Sequence, residues 1–306
     1  MDQFERILRD IKSVKIQGAE NVAINGVKAF RYRALKIKTG RYEKFFDEVD
    51  RIKAKIFEIR PTEPLMRNCI RYVISNLKSS PGADVPGLKK TLSKLCKEVL
   101  EHMDYAEGMI AKIAAHRIHT GMIVFTHCHS STVVNILRYA KKEGKWFRVY
   151  NTETRPLYQG RITARELSKL RIPVVHFVDS AARIAIRKSD IALFGVDAIT
   201  TTKIYNKIGS EMFAVIANKY DVPLYVCGDS WKFDPEGIYG FEETVEKRGP
   251  EEIWKNPPRG VNIENPTFER INPDLVTAVI SELGVYSPEN FVEEVKRAYP
   301  WICKRC

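Results

Sequence analysis

The chain has 306 residues, more than one hydrophobic core usually fills, so two domains are expected. An apolar fraction of 44% with no window near the ~18 consecutive apolar residues of a membrane span excludes a membrane partner. The net charge of +12 invites a nucleic-acid reading, because clustered Lys and Arg attract phosphates. The densest basic stretch, 28–55, nevertheless interleaves Phe30, Leu35, Ile37, Phe45, Phe46, Val49 and Ile52 with its charges, as amphipathic helices do. No RNA- or DNA-binding motif accompanies it, so a solvated helix face is expected and nucleic acid is not a partner.

In chain order, residues 1–118 read as a helical domain, with helices over 3–14, 20–38, 41–58, 64–78 and 86–118. Gly18, Gly40, Pro61 and Ser79-Ser80-Pro81-Gly82 separate them. In the long helix Leu88, Leu92, Leu95, Val99 and His102 recur at helical spacing, and Tyr105, Met109 and Ile113 extend the stripe. The opening MDQFERILRD lacks the regions of a signal peptide, which fits a cytoplasmic chain.

From 119 to 306 the pattern changes. Short apolar runs at Met122–Thr126, Phe147–Asn151, Pro173–Val178, Ile191–Gly195, Pro223–Cys227 and Leu275–Ile280 alternate with helical stretches at Thr132–Lys141, Thr163–Leu170, Ala181–Arg187 and Gly209–Tyr220. Repeated βα units predict a parallel sheet with right-handed crossovers. The fold class is therefore α/β: an N-terminal helical domain followed by a Rossmann-like parallel-sheet domain. Ligands of such sheets gather at the carboxyl ends of the strands. Polar residues crowd there: Thr126-His127-Cys128-His129-Ser130, Glu153-Thr154-Arg155-Pro156, Asp179-Ser180, Asp197 and Gly228-Asp229-Ser230-Trp231-Lys232.

Cys128 follows a strand and precedes a helix, so a helix dipole would lower its thiol pKa and ready it for acid–base or nucleophilic work. A buried structural cysteine is the alternative. His127-Cys128-His129 does not read as a metal site, since adjacent residues of an extended segment point to opposite faces. Asp197 lies just past a strand, where burial would raise a carboxyl pKa and suit it to proton transfer; a loop Asp capping backbone N–H groups is the alternative. Asn206-Lys207-Ile208-Gly209-Ser210 opens a helix and offers N–H groups and a Lys to an anion. Arg60, Arg155 and Lys232 add cations in stiff or loop contexts, which suits a bisphosphate. Six scattered cysteines argue against a disulfide framework, and Cys303 and Cys306 read as a frayed tail rather than half a metal site.

These segments together resemble one family, the archaeal ribose-1,5-bisphosphate isomerases, within the superfamily of methylthioribose-1-phosphate isomerases and the alpha, beta and delta subunits of translation initiation factor 2B. The resemblance runs through Gly18-Ala19, Arg60-Pro61-Thr62, Ser80-Pro81-Gly82-Ala83-Asp84, Thr126-His127-Cys128-His129-Ser130, Thr152-Glu153-Thr154-Arg155-Pro156, Gln159-Gly160, Val178-Asp179-Ser180-Ala181-Ala182, Gly195-Val196-Asp197, Asn206-Lys207-Ile208-Gly209 and Asn265-Pro266-Thr267-Phe268. It implies a catalytic pair, Cys128 and Asp197, and phosphate contacts by Gly18, Ala19, Arg60, Ser130, Arg155, Asn206, Lys207 and Lys232. It implies conversion of ribose 1,5-bisphosphate to ribulose 1,5-bisphosphate in AMP salvage, feeding a ribulose-bisphosphate carboxylase, with AMP as activator, no cofactor or metal, and a homodimer or homohexamer. Two rivals stay open: a non-catalytic regulatory subunit like those of initiation factor 2B, and a methylthioribose-1-phosphate isomerase. Gln17 stands where the isomerases have an Arg, Val196 where Ala is usual, and the turn at Thr200–Tyr205 is shortened.

Overall fold

Helical periodicity over the first third becomes five helices: α1 (Gln3–Lys12), α2 (Ala19–Leu35), α3 (Tyr42–Ile59), α4 (Pro64–Lys78) and α5 (Val85–Ala115). The computed structural model describes residues 2–80, 84–235 and 247–303. Pro81, Gly82 and Ala83 of the turn after α4, and Cys306, lie outside the described residues. The chain forms two compact units. One comprises 1–105, 231–233 and 295–306; the other comprises 106–230 and 234–294.

The helical unit buries the apolar stripe of each helix: Phe4, Ile7 and Ile11 of α1, Val22, Val27 and Phe30 of α2, Phe45, Val49 and Ile56 of α3, and Leu65, Ile70 and Ile74 of α4. Gly26 lets α2 and α4 approach closely, because a Cβ there would come within 2.7 Å of Met66 Cγ. The cations of 28–55 face outward, with several held by neighbouring carboxylates: Arg33 and Lys36 lie 3.4 and 3.8 Å from Asp2, and Arg51 lies 2.5 Å from Glu48. In α5 the expected stripe holds through Leu88, Leu92, Leu95 and Val99 and then turns. Tyr105 is exposed, and Met103, Ala106, Ile110 and Ala114 are buried instead. The change falls where α5 passes from one unit to the other.

The second unit alternates strand and helix: β1 (Ile123–Thr126), α6 (Ser131–Lys142), β2 (Arg148–Thr152), α7 (Gln159–Lys169), β3 (Val174–Phe177), α8 (Ala182–Ile186) and β4 (Ile191–Phe194). A hairpin of β5 (Ala198–Ile199) and β6 (Ile204–Lys207) precedes α9 (Ser210–Lys219) and β7 (Leu224–Cys227). Then come β8 (Phe268–Ile271), β9 (Ala278–Ser281), β10 (Gly284–Tyr286) and α10 (Pro288–Ala298). Seven strands form one sheet in the order β10-β9-β7-β4-β1-β2-β3, parallel except for β10. The side chains of each strand alternate between two faces. On one, Val124, Val149 and Leu193 pack with Ile110, Val133, Leu137 and Leu167; on the other, Phe125 meets Phe194 and Phe213. A separate antiparallel sheet, β5-β6-β8, carries the hairpin that follows β4. Its tight turn is closed by Thr200, whose Oγ1 accepts from the N–H groups of Lys203 at 3.0 Å and Thr202 at 3.3 Å.

The order of the large sheet carries the functional consequence. From β1 the chain steps outward through β2 and β3, then returns to lay β4 on the opposite side of β1. The loops leaving β1 and β4 therefore flank the switch point at the carboxyl edge, where doubly wound sheets bind their ligands.

One backbone contact is too close for any side chain. Gly160 opens α7 under the end of β2, where a Cβ would sit 1.7 Å from the Thr152 carbonyl oxygen, and its own carbonyl accepts from Asn151 Nδ2 at 2.7 Å. Gly108, in α5, has nothing within 4 Å of that position. In urea titrations Gly160→Ala should therefore cost at least about 1–3 kcal/mol. Gly108→Ala should gain about 0.5–1 kcal/mol through helix propensity; equal effects would contradict the packing described.

Candidate active site

β1 ends at Thr126, and His127-Cys128-His129 follow before Ser130 caps α6 by accepting from the Val133 N–H at 3.3 Å. β4, paired beside β1 through Val124↔Ile191 and Phe125↔Ala192, ends at Phe194 and runs on through Gly195 and Val196 to Asp197. Strands so paired lie about 4.8 Å apart. The two loops are thus neighbours, and Gly195 makes their contact: a Cβ there would lie 2.6 Å from Ser130 Oγ. Asp197 is half-buried, and its N–H donates to the Tyr205 carbonyl at 3.0 Å, which ties it to the hairpin.

The segment around Cys128 is not extended. Cys128 has φ 65°, a left-handed conformation that costs an L-residue roughly 1–2 kcal/mol, and Thr154 has φ 63°. Buried hydroxyls hold both in place. The Cys128 N–H donates to Thr154 Oγ1 at 3.0 Å, and Thr163 Oγ1 donates to the Cys128 carbonyl at 2.9 Å. The Asp179 carboxylate in turn accepts from the N–H groups of Thr154 at 2.8 Å and Arg155 at 2.7 Å. A left-handed residue so braced marks a functional site more often than a packing accident.

The flanking histidines serve separate partners. His127 is buried; its Nε2 lies 2.9 Å from the Ile208 carbonyl and therefore carries the proton, while Nδ1 accepts from Thr152 Oγ1 at 2.7 Å. Burial lowers its pKa to about 4 against the pull of Ile208 and Asp179, so the ring is neutral. His129 places Nδ1 3.1 Å from Thr163 Oγ1, and burial lowers its pKa as well.

The sequence reading of the thiol is corrected here. Proximity to the α6 N-terminus predicts a lowered pKa, yet burial pushes Cys128 up to about 12. Lys207 and the His129 N–H oppose that shift, while the charges of Asp197 and Asp179 add to it. Desolvation of the sulfur outweighs the helix terminus, although the residue as a whole is only half-buried. The charges of Asp197 and Lys207, distant from Cys128 in sequence, thus bear on its thiol in opposite directions.

The remaining sheet-unit residues fall nearby in the chain's path. Asn206 and Lys207 are buried in β6 rather than at a helix start; Asn206 Nδ2 donates to Ser210 Oγ at 3.0 Å, whose hydroxyl donates to the Lys207 carbonyl at 2.6 Å. Gly209, at φ 101°, turns the chain into α9 and lies against His127. Arg155 extends its guanidinium over Tyr158, with Nη1 donating to the Tyr158 hydroxyl at 2.8 Å. Gly18, Ala19, Arg60 and Lys232 belong to the helical unit. Gly18, at φ 85°, caps α2 with Ala19 as its first residue; exposed Gln17 precedes it. Arg60 pairs with Glu63 at 2.9 Å. The sequence reading missed Thr163, and it left Thr154 and Asp179 without the bracing role that their hydrogen bonds give them.

A doubly wound parallel sheet preceded in the chain by a helical unit defines the class of protein. The sequence matches the Initiation factor 2 subunit family over residues 15–288, and the chain belongs to that family. It is 32% identical to the ribose 1,5-bisphosphate isomerase of Thermococcus kodakarensis, covering 97% of this chain and 95% of the relative. It is also 32% identical to the protein of that name from Methanocaldococcus jannaschii, covering 99% and 98%. The translation initiation factor eIF-2B structure from Pyrococcus horikoshii superposes with a TM-score of 0.81 at 27% identity, over 95% of this chain and 98% of that one.

Because the thiol is protonated at neutral pH, alkylation of Cys128 should rise ~10-fold per pH unit between about pH 8 and 11. Asp197→Asn removes a charge that opposes ionisation and should speed the reaction at fixed pH, while Lys207→Met should slow it. Mass spectrometry of the Cys128 peptide reads both, and equal rates in all three proteins would refute the coupling.

Proposed function

We propose that the protein is an isomerase that converts ribose 1,5-bisphosphate to ribulose 1,5-bisphosphate, with Cys128 and Asp197 as its base and acid. The observation that carries this reading is the pairing of β1 with β4, whose outgoing loops bring Cys128 and Asp197 to one edge of the sheet at its switch point. The names of the two relatives supply the substrate.

The 1-phosphate blocks a free aldehyde, so the ring must be opened with help. The pair offers a route. Moving one proton from the Cys128 sulfur to the Asp197 carboxylate makes a thiolate base and a carboxylic acid together, and Lys207 favours the thiolate. Asp197 protonates the ring oxygen as its bond to C1 breaks; Cys128 takes the proton from C2, leaving an enol phosphate. The C2 hydroxyl then returns its proton to Asp197 while Cys128 delivers its own to C1, which leaves the ketone and both groups as they began. Lys207, Asn206, Ser130 and Arg155 of the sheet unit, and Gly18, Ala19, Arg60 and Lys232 of the helical unit, are the proposed phosphate ligands.

The proposal extends to a homodimer or homohexamer. The edge strand β3 exposes Val175, with Val178 and Ile184 exposed beyond it, an apolar face suited to another copy. No helix among the described residues is long and apolar enough to cross a membrane.

Purified protein should turn ribose 1,5-bisphosphate into ribulose 1,5-bisphosphate and leave methylthioribose 1-phosphate unchanged. Cys128→Ser and Asp197→Asn should each lower kcat ~10²–10⁴-fold with unchanged melting behaviour. Tight binding without product would favour a regulatory subunit, and full activity in either variant would refute the roles given to the pair.

A further inference from the structure

Lys232 follows β7 in the chain, yet Trp231–Phe233 belongs to the helical unit. One buried amide binds this segment on both sides of Lys232. Asn68, on α4 and fully buried, directs Nδ2 to the Trp231 carbonyl at 2.8 Å and to the Phe233 carbonyl at 2.8 Å. An amide nitrogen has two hydrogens, so both are used on the carbonyls that flank Lys232. The orientation of the amide is not arbitrary. Arg71 Nη1 lies 3.3 Å from Asn68 Oδ1, and a guanidinium can only donate, so the oxygen faces Arg71 and the nitrogen faces the two carbonyls.

Aromatic packing secures the same segment from the side. The Trp231 indole stacks on His102, with ring centroids 3.9 Å apart and planes 16° apart, and meets Trp301 edge-on at 4.9 Å. That packing fixes the Trp231 side chain. Asn68 binds the carbonyls on both sides of Lys232 by directed bonds, so it helps to set where the Lys232 stem begins. Lysine is a point charge on a flexible four-carbon stem, and its aim depends on that starting point.

We infer that Asn68 is a positioning residue for substrate phosphate, acting through Lys232. The inference rests on the reading above that Lys232 binds a phosphate. Without Asn68 the two carbonyls lose their buried donors, the segment moves, and the ammonium no longer meets the phosphate. Deletion of Asn68 and deletion of the lysine head group therefore remove the same contact.

The test is a double-mutant cycle on the full chain, read as the Kd for ribulose 1,5-bisphosphate by calorimetry. Asn68→Ala and Lys232→Gln should each weaken binding ~10-fold, as expected for one lost directed contact. The double variant should bind no more than about twofold more weakly than Lys232→Gln alone, because the second change has nothing left to remove. Asn68→Ser, which keeps one donor, should regain part of the loss, and it carries the cycle if the alanine variant fails to fold. Losses that multiply in the double variant, or wild-type affinity in Asn68→Ala beside a loss in Lys232→Gln, overturn the inference and leave the phosphate role of Lys232 intact. Wild-type affinity in Lys232→Gln, or a wild-type protein that binds no bisphosphate, overturns the reading beneath it and the inference with it.

Discussion

The pairing of β1 with β4 is the constraint on which the rest of the site depends. Two strands separated by some 65 residues of sequence lie side by side because the chain builds outward through β2 and β3 before returning. Their outgoing loops share one edge of the sheet and carry Cys128 and Asp197 there, where doubly wound sheets bind their ligands. Gly195 permits the contact by having no side chain, and Ser130 uses the space to cap α6. The hairpin after Asp197 then brings Lys207 within electrostatic reach of the sulfur.

Desolvation sets the chemistry of that edge. The same burial lowers His127 to about 4 and raises Cys128 to about 12, so both groups are neutral at physiological pH. A helix N-terminus and a nearby Lys are too weak to reverse this. In the proposed reaction the base is made by transferring a proton within the site rather than by losing it to water. The left-handed turn at Cys128 is held by the same surroundings, since its backbone groups are bound by Thr154 and Thr163.

Most of the framework was legible in the sequence. Ile123–Thr126, Ile191–Phe194 and Leu224–Cys227 are short, mostly apolar runs between helical stretches, which leaves a parallel sheet as the natural solution. The small antiparallel sheet was not legible. Ala198–Ile199 is two residues long, Ile204–Lys207 is half polar, and Asn206-Lys207 reads as a helix start when hydrogen-bond partners 60 residues away are unknown. α10 was missed because Phe291, Val292 and Val295 are too few against its charges. The tail was misjudged: Pro300–Cys303 forms a 3-10 turn with Ile302 buried, since Tyr299 and Trp301 pack on Trp231. Of the site, the residue types at strand ends could be read. The pKa direction of Cys128 could not, because it depends on burial rather than on the neighbouring helix.

The most direct measurement is a crystal structure with ribulose 1,5-bisphosphate bound. The account requires Cys128 Sγ and one Asp197 carboxyl oxygen within about 3.5 Å of the C1–C2 end of the same sugar, a distance at which protons can pass. A sugar seated at the sheet's carboxyl edge with either group turned away from that end would contradict the shared-proton mechanism.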